Sequence, residues 1–198
     1  MTTIVAVKKN GVVAIAADTL TTFGNTRLHA LQDSSPDKIL RIGNNFIGVC
    51  GSAAHHLVLT SLLTKSSDVL LNSKASIFET FRKLHPVLKE ECFLNPKEDE
   101  EDPYESSQIT ALIANASGIF GIYSMREVFE YTQFWSIGSG HEFALGAMHY
   151  AYKHVDSAEE IARIGLDAGI AYDKNSSSPI TLYSVELSSQ AASTHDLL

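Results

Sequence analysis

Residues 3 to 9 and 12 to 17 form two short apolar runs, the second reading Val-Val-Ala-Ile-Ala-Ala, and they are joined at Asn10-Gly11. That dipeptide supplies the positive φ of a tight hairpin turn, so the pattern predicts two paired strands that tie the amino terminus into a sheet. A second hairpin is predicted from Lys38-Ile39-Leu40-Arg41-Ile42 across Gly43-Asn44-Asn45 to Phe46-Ile47-Gly48-Val49-Cys50. Helical spacing then takes over. Ser52 is placed to cap a first helix burying Ala54, Leu57, Val58, Leu62 and Leu63, and Ser76-Ile77-Phe78-Glu79 reads as the capping box of a second, which Pro86 should bend. After a polar stretch, strands are predicted near 109 to 114, 118 to 124 and 127 to 137. Two more helices follow, the later opening at Ser157-Ala158-Glu159-Glu160, and the chain returns to a strand at residues 180 to 187.

This order, strands and paired helices twice over and then a last strand, has no repeated βαβ unit and predicts an α+β protein rather than a doubly wound parallel sheet. Two antiparallel sheets packed face to face, with a helix pair outside each, would bury every apolar face just named. The expected architecture is therefore a four-layer αββα sandwich. One domain is expected over residues 1 to 187, with a small, polar, disordered tail at 188 to 198.

Composition narrows the function. A chain of 198 residues with 44% hydrophobic content can bury about 70% of the surface it exposes when unfolded. No apolar run approaches the roughly 20 residues of a membrane span, and Lys8, Lys9 and Asn10 stand where a secretory signal would be apolar. The expectation is a cytoplasmic protein with no membrane partner. The net charge of -8 argues against a nucleic-acid partner. Cys50 and Cys92 match no metal spacing, and His55 and His56, adjacent on a helix, do not present paired ligands, so no metal or other cofactor is expected. The acidic run Glu98-Asp99-Glu100-Glu101-Asp102, within residues 97 to 107, reads as a solvated loop.

The chemistry of most interest lies at the start. Removing Met1 would leave Thr2 as a free amino-terminal threonine at the head of a strand. A hydroxyl is a weak nucleophile at neutral pH and needs a base beside it, and an amino-terminal threonine carries one in its own α-amine.

Thr2-Thr3-Ile4-Val5, the Asn10-Gly11 turn and Ala16-Ala17-Asp18 together resemble the start of proteasome β-type subunits, and especially the bacterial HslV peptidase. Lys38 in Asp37-Lys38-Ile39, Gly51 in Gly51-Ser52-Ala53-Ala54, Ser139 in Gly138-Ser139-Gly140, and the pair Asp173 and Ser176 follow in the order of that family, so the resemblance spans nearly the whole chain. It implies the N-terminal nucleophile hydrolase fold and a threonine-type endopeptidase. Thr2 would attack a peptide carbonyl while its amine takes the hydroxyl proton, directly or through a water. Lys38, held by Asp18, would keep that amine neutral by like-charge repulsion, and the Gly51 N–H would receive the oxyanion. Ser139, Asp173 and Ser176 would orient the amine and the water. Thr22 would bind the substrate backbone, and Thr21, Val49 and Ala53 would line the first pocket, which suggests an uncharged, medium-sized side chain before the cut.

The resemblance also implies a homo-oligomer of two stacked rings enclosing the sites, acting on peptides or unfolded polypeptides. Rings of about seven subunits are favoured, with six also open. Helices 52 to 72 and 75 to 92 are the expected ring-to-ring surface. Between Gly24 and Lys38 the chain carries about four residues more than HslV, as a surface loop tolerates. With the acidic run and His55 after Ala53-Ala54, this points to a bacterial proteasome homologue distinct from HslV, and an ATPase unfoldase partner stays unidentified. Two alternatives stand beside the peptidase: a silent ring-forming scaffold with Met1 retained, and an amidase for small molecules using the same amino-terminal chemistry.

Overall fold

The computed structural model of the chain describes residues 2–66, 69–97 and 99–189. β1 (Thr3–Lys9) and β2 (Val12–Asp18) pair antiparallel through the Asn10-Gly11 turn, with Ile4 opposite Ala17 and Val7 opposite Ala14. A short hairpin, β3 (Thr21–Phe23) and β4 (Thr26–Leu28), leads to β5 (Ile39–Ile42) and β6 (Asn45–Cys50). The helices α1 (Ala53–Lys65) and α2 (Lys74–Glu90) precede β7 (Thr110–Asn115), β8 (Gly118–Ile122), β9 (Val128–Tyr131) and β10 (Phe134–Gly138). The helices α3 (His141–Ala151) and α4 (Ala158–Tyr172) and the strand β11 (Ile180–Glu186) complete the order.

The strands make a four-stranded sheet, β10-β1-β2-β11, and a five-stranded sheet, β5-β6-β7-β8-β9, all antiparallel. Successive side chains of a strand point to opposite faces. Ile4, Ala6, Ile15 and Ala17 therefore meet Phe46, Leu112 and Ala114 between the sheets, while Val5, Val7, Ala14 and Ala16 meet Met148, Ile161 and Leu166 of the α3–α4 layer. Both faces of β1 and β2 are covered, which is why these strands read as continuous apolar runs without alternation. On the other side, Leu59, Leu63, Ile77 and Phe81 of α1 and α2 pack on Ile47, Val49, Ile113 and Phe120. The result is the αββα sandwich and the N-terminal nucleophile hydrolase fold.

Local expectations need four corrections. The buried face of α1 is His55, Leu59 and Leu63, whereas Ala54 and Leu57 are exposed and Val58 and Leu62 half-buried. Apolar residues surround this helix, so periodicity alone did not select a face. Ser73, not Ser76, caps α2, with Ser76 as its reciprocal partner, and the helix runs on through Pro86. The predicted strand 127 to 137 is two strands, β9 and β10, which join different sheets across Thr132 and Gln133. The β3–β4 hairpin had no predicted counterpart. The predicted disordered tail lies outside the described residues beyond position 189. Among the described residues no helix is long and apolar enough to cross a membrane.

Candidate active site

The pairing of β1 with β2 sets Asp18, at the end of β2, beside the first residues of the chain. Asp18 is fully buried, and a buried carboxylate must have its lone pairs filled. Its Oδ1 accepts from the Thr2 hydroxyl, from Lys38 Nζ at 2.8 Å and from the Thr3 N–H at 3.0 Å. Its Oδ2 accepts from the backbone N–H of Leu20 at 3.0 Å and of Ser177 at 3.2 Å. Three segments that are distant in sequence, at Thr2–Thr3, Lys38 and Ser177, thus converge on one carboxylate.

Lys38, which directly precedes β5, completes a triangle by donating to the Thr2 hydroxyl at 2.5 Å. The hydroxyl therefore accepts from an ammonium and donates to a carboxylate, which fixes its rotamer. Burial lowers the lysine pKa below its ordinary 10.5, and the Asp18 charge and hydrogen bond oppose that shift. Among the described residues, no group of His, Cys, Asp and Glu side chains could hold a metal ion.

A second polar cluster near Thr2 is centred on Asp173, the C-cap residue of α4. Its Oδ2 accepts from Ser139 at 2.6 Å and from Ser176 at 2.8 Å. Burial pushes this carboxyl up, but the hydrogen bonds from Ser139, Ser176 and Asn175 outweigh it and hold the pKa below the ordinary value. Ser139 Oγ also lies 3.4 Å from the Thr2 carbonyl oxygen. Ser139 does not cap α3, whose N-cap is Gly140. Thr3, which sequence reasoning passed over, links the two clusters: its N–H bonds Asp18 and its side chain bonds Ser176 at 2.7 Å. The one available signal was a hydroxyl at the head of a run that is apolar from Ile4 to Val7.

Thr2, Lys38 and Gly51 all line one cavity of about 630 Å³. Gly51 stands between the end of β6 and the Ser52 cap of α1 with φ of 109°, a conformation that residues with a Cβ rarely adopt. The predicted substrate-binding residues Thr21, Thr22, Val49 and Ala53 line the same cavity. Ser139, Asp173 and Ser176 do not; Ser139 reaches the Thr2 carbonyl and Ser176 the Thr3 side chain, with Asp173 joining the two serines. The cavity also takes in Asp33, Asp37 and His56, which sequence reasoning did not assign to it. These come from the loop after β4 and from α1, and no local pattern links them. Cys50 lines the cavity too, with its thiol pushed up to about 11 by burial, so it is protonated at neutral pH.

The proteasome-subunit family model matches residues 1–74. The structure of BPH from Thiobacillus denitrificans superposes with a TM-score of 0.88 at 38% sequence identity, covering 94% of this chain and 99% of that one. A structure of the same protein in complex with epoxomicin gives 0.87 and 37% at the same coverage. Eukaryotic HslV from Trypanosoma brucei shares the fold at a TM-score of 0.62 and 22% identity, covering 93% of this chain and 99% of its own. With the fold, the Thr2 start and these likenesses in agreement, the chain belongs to the proteasome-subunit family.

Proposed function

We propose that this chain is a threonine-type endopeptidase whose nucleophile is Thr2 after removal of Met1. The observation that carries this reading is the placement of the Thr2 hydroxyl between Lys38 and Asp18 at a cavity that Gly51 also lines. In the proposed reaction the Thr2 Oγ bonds to the carbonyl carbon of the substrate and its proton passes to the Thr2 amine, directly or through a water. The oxyanion is received by the Gly51 N–H. The C–N bond then breaks, the amine returns the proton to the leaving nitrogen, and the acyl group stays on Thr2 as an ester. Water attacks that ester, with the amine again taking the proton, and a carboxylate product leaves with Thr2 restored. Lys38 favours the neutral amine by repulsion, Asp18 holds Lys38, and Ser139, Asp173 and Ser176 position the amine side of Thr2.

The same reading includes assembly into two stacked rings in the cytoplasm, with access limited to peptides and unfolded chains. Family membership supports it, as do the exposed side chains of Phe143, Tyr150 and Tyr172 on α3 and α4, which offer apolar contact area. Epoxomicin, with which the Thiobacillus denitrificans relative forms a complex, is expected to bind the Thr2 cavity here as well. The test is hydrolysis of an unfolded polypeptide and of short peptides by the purified protein and by Thr2→Ala. Cleavage by the natural chain that the substitution abolishes is the expected result. Equal cleavage by both proteins would remove Thr2 as nucleophile.

A further inference from the structure

We propose that the cavity beside Thr2 accepts a basic side chain, lysine or arginine, on the residue whose carbonyl Thr2 attacks. This rests on the peptidase reading and specifies its substrate class. It departs from the uncharged side chain suggested by Thr21, Val49 and Ala53 alone, because the cavity holds three further groups that those positions do not reveal.

The first two are carboxylates. Asp37 is held by the Ile39 N–H at 2.9 Å, the Thr181 hydroxyl at 3.0 Å and the Tyr183 hydroxyl at 2.6 Å, so it cannot swing away from the cavity wall without losing all three. Asp33 Oδ1 accepts from the Ser35 N–H at 2.9 Å, and among the described residues its Oδ2 takes no hydrogen bond. The third group is His56, whose Nε2 is buried and finds no hydrogen-bond partner among the described residues, so that a shift of the ring that opens it to the cavity would let a bound donor satisfy it. Burial lowers the pKa of His56 against the pull of Asp37, so its ring is neutral and can accept a hydrogen bond.

Charge points the same way. Among the described residues lining the cavity the one permanent cation is Lys38, and it is already committed to Asp18 and Thr2. Asp33 and Asp37 are left without a cation within the cavity, so its wall carries two carboxylates against one ammonium that is already paired. A lysine or arginine matches that inventory, because its head carries only donors and its stem can lie along Leu20, Val49, Ala53 and Leu57. An acidic side chain would meet two like charges, and an apolar one would leave the His56 nitrogen unpaired.

The test uses the full chain and tripeptide substrates that differ only in the residue before the cut: arginine, norleucine or glutamate. The expected kcat/KM order is arginine over norleucine by about tenfold or more, with glutamate last. Asp33→Asn and His56→Leu should each cut the arginine-to-norleucine ratio by about tenfold, a readout that a general loss of folded protein would not move. Asp33 is in a surface loop, so its substitution keeps the test open should the helical one misfold. Fluorescence anisotropy of the labelled tripeptide amides gives the same preference without turnover. Arginine-selective binding with no hydrolysis would support the pocket assignment while removing the peptidase reading. A preference for norleucine or glutamate, or a ratio that neither substitution moves, would overturn the proposal.

Discussion

The buried carboxylate of Asp18 and the ammonium of Lys38 form a 2.8 Å ion pair, and the Thr2 hydroxyl is bonded to both halves of it. An ion pair at the end of a sheet is an ordinary structural feature, but one that encloses the hydroxyl of the second residue ties the local fold to a chemical role. Its two members also differ in exposure: Asp18 is fully buried, while the Lys38 side chain is 15% exposed and reaches the cavity.

Substitution should separate those two duties. Lys38→Met leaves Asp18 buried without its cation, which typically costs about 3–5 kcal/mol, less here because four other donors remain. The proposed peptidase activity should fall by about 10³-fold. Lys38→Arg keeps the charge and should retain more stability than activity, since a planar fork does not reproduce the placement of Nζ against the Thr2 hydroxyl. Chemical denaturation and peptide hydrolysis on the same samples give both quantities.

The pH dependence follows from the lysine. Burial holds the Lys38 pKa below its ordinary 10.5, with Asp18 opposing, so the ammonium is lost at a lower pH in the folded protein than in the unfolded chain. If the charged form is needed, activity declines on the alkaline side at a pH below 10.5. Between the folded and unfolded pKa values the unfolded chain binds more protons, so the contribution of this group to folding stability rises with pH there. Activity falling while the folded fraction holds would mark the titration of Lys38. In Lys38→Arg, whose guanidinium does not titrate in this range, the residual alkaline limb should move to higher pH.

Cys50 provides an internal control, because it lines the same cavity as Thr2 and is the more nucleophilic residue type. Its thiol is pushed from 9.0 up to about 11, first by burial and with Lys38 partly offsetting, so at pH 8 its thiolate fraction is down by about 100-fold. Alkylation by iodoacetamide should be slower than for a free thiol by about that factor. Cys50→Ala should still form a peptide-electrophile adduct. Rapid alkylation of Cys50 that blocks hydrolysis would contradict this assignment of the nucleophile.

What the sequence reveals depends on whether a feature is local. β1 and β2 are readable because both faces are buried and Asn10-Gly11 specifies their turn, and with them comes the placement of Asp18 opposite the start of the chain. The face of α1 is not readable, since its apolar residues run all the way round and only packing against the five-stranded sheet selects His55, Leu59 and Leu63. The break between β9 and β10 depends on a switch of partner sheet, which no alternation pattern encodes. Within the site, Thr2, Lys38 and Gly51 came from motifs with chemical meaning. Thr3, Asp33, Asp37 and His56 did not: Thr3 and Asp37 take their partners from residues 176 to 183, and Asp33 and His56 reach the cavity only through the folding of distant segments around it.

Whether Thr2 is a nucleophile with a free amine is decided by intact mass spectrometry. The purified protein is weighed before and after exposure to a threonine-reactive peptide electrophile, and the adduct is mapped by fragmentation. The expected result is loss of one methionine and a single adduct on Thr2 that Thr2→Ala abolishes. A retained Met1 with no adduct, or an adduct on Cys50 or any other residue, would contradict it.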